Sequence, residues 1–321
     1  MSSIGELRAV ARQSGSARRE KGLPFRKRFP DAVQGYLFLA PWLVGLVAFT
    51  VGPMIVSFYL SLTDYHLLRN ARTAPAFIGL ENYTRMFEDP RLLKSLEVTV
   101  VYVVTSVPLQ LALALAVALL LDKGMRGLPL YRSVFYLPSL FGGSVAVAIL
   151  WRQVFGQTGL VNQLLALFGI EGPGWISHPD TALSTIVILH VWTFGSPMVI
   201  FLAGLRQIPG DLYEAAQMDG ASPVRRFRSI TVPLLTPILF FNLVLQTIFA
   251  FQSFTQAFIV SGGTGGPVDS TLFYSLYLYQ TGFTKFQMGY ASAMAWFLLV
   301  VIGLVTAVNF WLSKYWVFYE D

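Results

Sequence analysis

The sequence predicts an all-α membrane protein with six transmembrane helices, and three observations carry that prediction. The 321 residues are 55% hydrophobic and only 12% charged, about half the charge of a soluble domain. The missing charge is concentrated in six long apolar runs, none of which contains Asp, Glu or Lys. Each run reaches the roughly 20 residues that cross a bilayer core as helix. Lipid offers no partners to backbone N–H and C=O groups, so segments of this length must close their hydrogen bonds internally, as helices and not as strands.

In chain order, the first element is a basic tail, residues 1–34, with eight Lys/Arg between Arg8 and Arg28. Its composition predicts a disordered segment attracted to anionic lipid. The first apolar run, Gly35–Leu60, is too long for a signal-peptide core and lacks an A-x-A site, which predicts a retained anchor. The remaining spans are expected at Val98–Leu121, Val134–Phe155, Thr181–Leu205, Pro237–Ser261 and Gln287–Leu312. Turn signals and amphipathic patches mark Gly79–Glu97, and Gly159–Ile170 reads as a short surface helix. Pro41, Pro53, Pro108, Pro138 and Pro197 predict kinks packed against neighbouring helices. The domain reading is therefore a tail (1–34), a membrane domain (35–312) with a loop at 207–233, and a short C-terminus (313–321).

Lys and Arg in the connecting segments set the orientation. With the N-terminus inside, the inner segments hold 16 Lys/Arg and the outer ones 6. Both termini are expected in the cytoplasm.

The same composition narrows function. The formal charge of +6 sits largely in the tail, so nucleic acid is not an expected partner; the lipid bilayer is. With no cysteine there is no thiol nucleophile and no cysteine-ligated metal, and the three histidines are far apart in sequence, so no metal site is expected. A membrane enzyme would need a convergent acid/base or metal group. A secondary carrier for a small polar solute, coupled to protons or sodium, is the main rival. Such carriers usually bury ionisable groups in their spans, and these cores contain no Asp, Glu or Lys, with Arg152 near a boundary.

The loop between spans four and five is the most informative segment. Asp211 reads as an N-cap with Glu214 at the third helical position, where it can bond back to the cap. Gly220 supplies a left-handed turn, and Ser222-Pro223 reads as the cap and first residue of a second helix leading to Pro233. Small residues (Ala215, Ala216, Ala221) allow close seating in a groove, with Leu212, Tyr213 and Met218 as apolar anchors and Glu214 and Asp219 as charges for a partner. An ordinary surface helix joining two spans satisfies the same pattern.

The series Glu214-Ala215-Ala216, Asp219-Gly220-Ala221, Phe227, Ile230, Pro233 resembles the EAA loop of binding-protein-dependent ABC importer permeases. Tyr36–Pro41, Ser61–Asp64, Gly79–Tyr83, Phe135–Pro138, Phe201–Arg206, Gly262–Pro267 and Met288–Ser292 resemble, in the same order, segments of the carbohydrate permeases of that family. The start and end of the chain are similar to the first, MalF-like, subunit of a permease pair. Val98-Thr99 departs from the Asn-Thr frequent in relatives at the start of span two.

The resemblance implies the type I importer permease (MetI-like) fold with a cytoplasmic EAA coupling helix, in a bacterial or archaeal plasma membrane. It implies a second homologous permease, an ATP-binding-cassette ATPase dimer that carries ATP and Mg, an extracytoplasmic solute-binding protein and a carbohydrate substrate. Glu214, Ala215, Ala216, Asp219, Gly220 and Ala221 become the expected ATPase-coupling residues. The chain itself has no GxxxxGK[ST] phosphate loop, so no cofactor is expected on it.

A polyol needs hydrogen-bonding groups beside an apolar surface. Spans four and five offer both, and the expected substrate path is Trp192, Ser196, Gln246, Phe249 and Ser253, the last three on one helical face. Polar residues that hold membrane helices together give the same composition. His190 reads as a packed histidine.

Overall fold

The computed structural model describes residues 28–71, 73–124 and 127–318. The tail expected to be disordered lies, through residue 27, outside the described residues. The chain divides into two compact units, Met1–Val56 and Ser57–Asp321. In the first, α1 (Arg28–Leu46) passes through a π turn (Val47–Val51) into α2 (Gly52–Ser61), which enters the second unit.

The second unit contains α3 (Glu81–Met86), α4 (Pro90–Asp122), α5 (Leu128–Phe141), α6 (Val145–Val154), α7 (Leu160–Ala166), α8 (Pro179–Trp192) and α9 (Gly195–Leu205). It continues through α10 (Gly210–Met218), α11 (Pro223–Arg226), α12 (Val232–Phe251), α13 (Thr255–Val260), α14 (Tyr274–Tyr279) and α15 (Met288–Ser313). Among the described residues the single β-type pairing is the bridge Thr63–Phe77.

Among the described residues, four helical stretches are long and apolar enough to span a membrane: Gly35–Ser61, Pro90–Asp122, Pro223–Val260 and Met288–Ser313. Two bent pairs, α5–α6 and α8–α9, bring the number to six. Spans three and four are thus not the continuous helices that hydropathy alone predicts; they bend by 95° and 41°. Span three breaks at Gly142-Gly143, and Ser144 restarts it by accepting the Val147 N–H. Span four bends because Pro197 has no N–H for the carbonyl of Thr193, one turn earlier.

Two further boundaries move. The second span begins at Pro90, not Val98, because Asp89 caps it: its carboxylate accepts the N–H groups of Arg91 and Leu92, and Pro90 takes the first helical position. The fifth span joins a helix that starts at Pro223. Pro233 does not stop that helix. A π turn (Phe227–Thr231) precedes it, and the Val232 N–H reaches the Phe227 carbonyl five residues back. The same solution precedes Pro53, where the Gly52 N–H bonds Val47. Widening the turn accommodates a proline ring without breaking the rod.

Helix α4 is the hub, packing against α8, α9 and α12. Ala114 and Ala118 on it are fully buried, and Gly204 on α9 lets Ile238 of α12 come so close that any Cβ there would collide. Small residues bring membrane helices into contact where no hydrophobic effect drives them together. At the Pro90 end, Arg91 makes a two-point ion pair with Asp269 (2.6 and 2.9 Å), and Asp89 accepts from the hydroxyls of Tyr277 (2.8 Å) and Tyr290 (3.0 Å). Burial alone would raise the Asp89 carboxyl; its hydrogen bonds from Tyr277, Leu92, Tyr290 and Arg91 together hold it below the usual range. Burial and that same carboxylate push the Tyr277 hydroxyl up to about 12. Thr99, in the departing Val98-Thr99 pair, accepts the Tyr274 N–H and so ties α4 to α14.

Candidate functional site

The loop between spans four and five folds as a short helix, a tight turn and the start of a long helix. Helix α10 begins two residues earlier than a cap at Asp211 would allow. Pro209 is its N-cap residue, with no side-chain bond, and Gly210 takes the first position. Asp211 therefore lies inside the first turn, where its charge favours the helix dipole, and Glu214 falls beyond the reach of a capping box. The end of the helix is as expected. Gly220 has φ +76°, the Ala221 N–H bonds the Ala216 carbonyl (2.9 Å), and the Gly220 N–H bonds Gln217 (3.0 Å). This is a Schellman closure. Ser222 accepts the Arg225 N–H and Pro223 opens α11.

Glu214, Ala215, Asp219 and Gly220 are exposed, and Ala216 and Ala221 are half-buried. Met218 is 89% exposed, with Leu212 and Val224 also open to solvent. Exposed apolar side chains beside unpaired carboxylates are what a docking helix offers a partner. The helix is not loosely hung. The Tyr213 hydroxyl shares a 2.9 Å hydrogen bond with Thr231, which is buried in the π turn. From Pro223 the chain is helical through α11, the π turn and α12 to Phe251.

The far end of that rod borders a cavity of about 250 Å³. Ser196, Gln246, Phe249 and Ser253, four of the five expected path residues, line it together. Trp192 does not line it. His190 and Thr193 share a helical face and both border the cavity, while Trp192 lies off that face, its ring 5.9 Å from that of Trp151. His190 is packed edge-on to Tyr102, as a core histidine would be (5.5 Å), yet also borders the cavity.

Gln110 and Ser139 complete the wall and were not expected from the sequence; Gln256 and Gly143 close it. Three helix breaks meet here: at Gly142–Ser144, at Thr193–Phe194 and at Gln252–Phe254. Each freed backbone group finds a side chain. The Thr193 carbonyl, left unpaired by Pro197, accepts from Ser139 Oγ (2.8 Å) and Gln110 Nε2 (3.1 Å). The Ser196 N–H bonds back to Ser139 (2.9 Å), and Gln256 Nε2 bonds the Gly142 carbonyl (3.2 Å). Gly142 meets the Thr193 side chain so closely that only glycine fits. Irregular backbone at membrane depth is tolerated where it lines such a cavity. A signal for the missed pair existed: Gln110 is the single amide in its span, and Pro197 demanded a donor for Thr193.

No charged side chain lines the cavity, and among the described residues no group of three or more His, Asp or Glu could hold a metal ion. The wall can exchange hydrogen bonds with hydroxyls and stack one aromatic face, and it offers no general acid or base pair.

Comparison with known proteins extends this picture. A family model described as "Binding-protein-dependent transport system inner membrane component" matches residues 88–316. The chain is 52% identical over 310 residues to "Probable ABC transporter permease protein YesP" of Bacillus subtilis (strain 168), covering 96% of this chain and 98% of that one. It is 32% identical over 294 residues to "Lactose transport system permease protein LacF" of Rhizobium radiobacter, covering 90% and 96%. Among solved structures, one chain of a bacterial alginate ABC transporter, in complex with an alginate pentasaccharide-bound periplasmic protein, superposes with a TM-score of 0.76. That match is at 19% identity and covers 90% of this chain and 97% of that one.

Proposed function

The chain belongs to the family of binding-protein-dependent transport inner membrane components, a multi-pass permease subunit of an ABC importer, and from that premise we propose that it is the first permease of a sugar-importing pair. Its partners are a second, homologous permease, a dimer of ATPase subunits that binds and hydrolyses ATP with Mg, and an extracytoplasmic binding protein that delivers the solute. The Lys/Arg asymmetry puts both termini and the 207–233 loop in the cytoplasm. The membrane domain is 35–312, with 1–34 and 313–321 as cytoplasmic extensions.

In this reading Glu214, Ala215, Ala216, Asp219, Gly220 and Ala221 seat in a groove of the ATPase. Ser196, Gln246, Phe249 and Ser253 form part of the path, and the solute is a neutral sugar. The observation that carries the proposal is the helix from Pro223, which begins at the turn after the docking helix and ends at the cavity. A push on α10 passes through the Gly220 turn into the helix from Pro223, which carries Gln246 and Phe249 and ends at the break that holds Ser253. Uncharged polar walls favour a neutral polyol over a phosphate or carboxylate, whose burial without a partner is costly. ATP drives the switch between inward- and outward-facing states only by binding the two with different affinity.

The test is uptake by proteoliposomes. Vesicles holding this chain with its partner permease, the ATPase and the loaded binding protein accumulate sugar in an ATP-dependent way, and vesicles lacking the ATPase do not. Accumulation by this chain alone, driven by an ion gradient, would overturn the proposal.

A further inference from the structure

Gln110 stands on α4, 1% exposed, the one amide on a buried face whose other polar groups are the hydroxyls of Ser95, Thr99, Tyr102 and Ser106. Its Nε2 is committed to the bend of span four, with the carbonyls of His190 (3.2 Å) and Thr193 (3.1 Å) and the Thr193 hydroxyl (3.1 Å) as acceptors. Those partners fix the amide. Turned over, it would set Oε1 against two carbonyl oxygens, which donate nothing. Gln110 lines the cavity, and its Oε1 is closed to solvent and has no hydrogen-bond partner among the described residues. An oriented, buried acceptor left without a donor is uncommon in folded proteins and calls for a specific occupant.

We propose that Gln110 is a specificity-determining residue of this cavity, whose Oε1, covered in this conformation, accepts a hydrogen bond from one hydroxyl of the transported sugar when the wall shifts in the transport cycle. The inference rests on the reading of the cavity as the path of a neutral sugar. A hydroxyl both donates and accepts, so it can satisfy Gln110 Oε1 and, on the same wall, His190 Nε2, which also has no partner among the described residues. The division of labour within one amide follows from the kink. Pro197 frees the Thr193 carbonyl, that carbonyl engages Nε2, and the engagement aims the opposite atom of the amide. Sites that hydrogen-bond a substrate hydroxyl reject the analogue lacking it far more strongly than apolar pockets reject a missing methylene.

The experiment uses the complete importer in proteoliposomes, first with labelled neutral mono-, di- and trisaccharides delivered by its binding protein. Monodeoxy derivatives of whichever sugar is taken up follow. At one hydroxyl position the parent protein should transport the deoxy derivative at least about tenfold more slowly than the sugar itself. Gln110→Met should bring the two rates within about twofold by slowing the parent sugar, because the lost hydrogen bond no longer separates them. Gln110→Asn, which keeps the amide but withdraws its oxygen by one methylene, gives the same narrowing and carries the test if the Met variant does not assemble. Ser139→Ala removes the other donor to the Thr193 carbonyl and should slow both sugars equally, leaving their ratio intact. A ratio unchanged in the Gln110 variants overturns the proposal and leaves Gln110 as a helix-kink cap whose oxygen is met by water. Absence of uptake for every neutral sugar overturns the reading of the cavity, and this proposal with it.

Discussion

The 207–233 loop and the cavity lie at opposite ends of one helix, yet they are built by opposite means. The loop is made of local chemistry: a glycine at φ +76°, a serine cap, a proline at a first helical position, each read from its neighbours in sequence. The cavity is made of defects that meet only in three dimensions. Its wall forms where three spans break and where side chains from two of them, Ser139 and Gln256, and from a fourth, Gln110, close freed carbonyls. In the proposed role the loop has to be stiff and exposed, and it is both. The cavity must be polar inside lipid, which is possible only if every broken backbone bond is repaired from within.

Attacking the loop should give the largest effect. Glu214→Lys reverses a charge on its exposed face, and uptake should fall by more than about tenfold as a charged contact with the ATPase is lost. Membrane insertion should be unaffected, and co-purification of the ATPase alongside the uptake assay measures both. Normal transport by this variant would remove the loop from the mechanism.

Next comes the kink. Pro197→Ala returns an N–H to the Thr193 carbonyl, so the bend of span four should relax and Ser139 and Gln110 lose their acceptor. Uptake should drop severalfold, while thermal stability of the purified complex holds or rises. A loss of stability with normal uptake would mean that the bend serves packing and not the path.

The contrast between the regions explains what could be read in advance. Six apolar runs are legible because the bilayer demands length and hydropathy from every span. Gly220 and Ser222-Pro223 are legible because their backbone roles are local. The Asp211 cap was misjudged because Pro209 already supplies the extended entry, so the helix starts at Gly210. The 41° bend was legible as a kink at Pro197, whereas the 95° break at Gly142-Gly143 and the roles of Gln110 and Ser139 depend on which helices touch, and no window of sequence states that. Trp192 belongs to the same class: its type suited a sugar path, but the register of α8 directs it to Trp151.

Smaller effects sharpen the same division. Gly220→Val forces a branched residue into the left-handed region at a cost of about 1–2 kcal/mol. No atom crowds the added Cβ, so the cost is conformational, and Gly220→Asn should recover most of the lost uptake because Asn tolerates that region. The mildest change is expected at the Pro90 end. The lowered Asp89 carboxyl contributes stability at neutral pH that fades as pH falls below its ordinary value of about 3.9. Asp89→Asn should therefore unfold at a slightly lower temperature at pH 7, and thermal scans of parent and variant should begin to converge only as pH falls below about 4.

The central claim is that the helix from Pro223 carries motion from the coupling loop to the cavity as one rod. A triglycine inserted after Arg226 interrupts that rod while leaving the docking helix and the cavity residues in place. In the reconstituted importer, ATP hydrolysis should continue while sugar uptake falls to the level seen without ATP. Uptake at the parent rate through the interrupted helix would contradict the account.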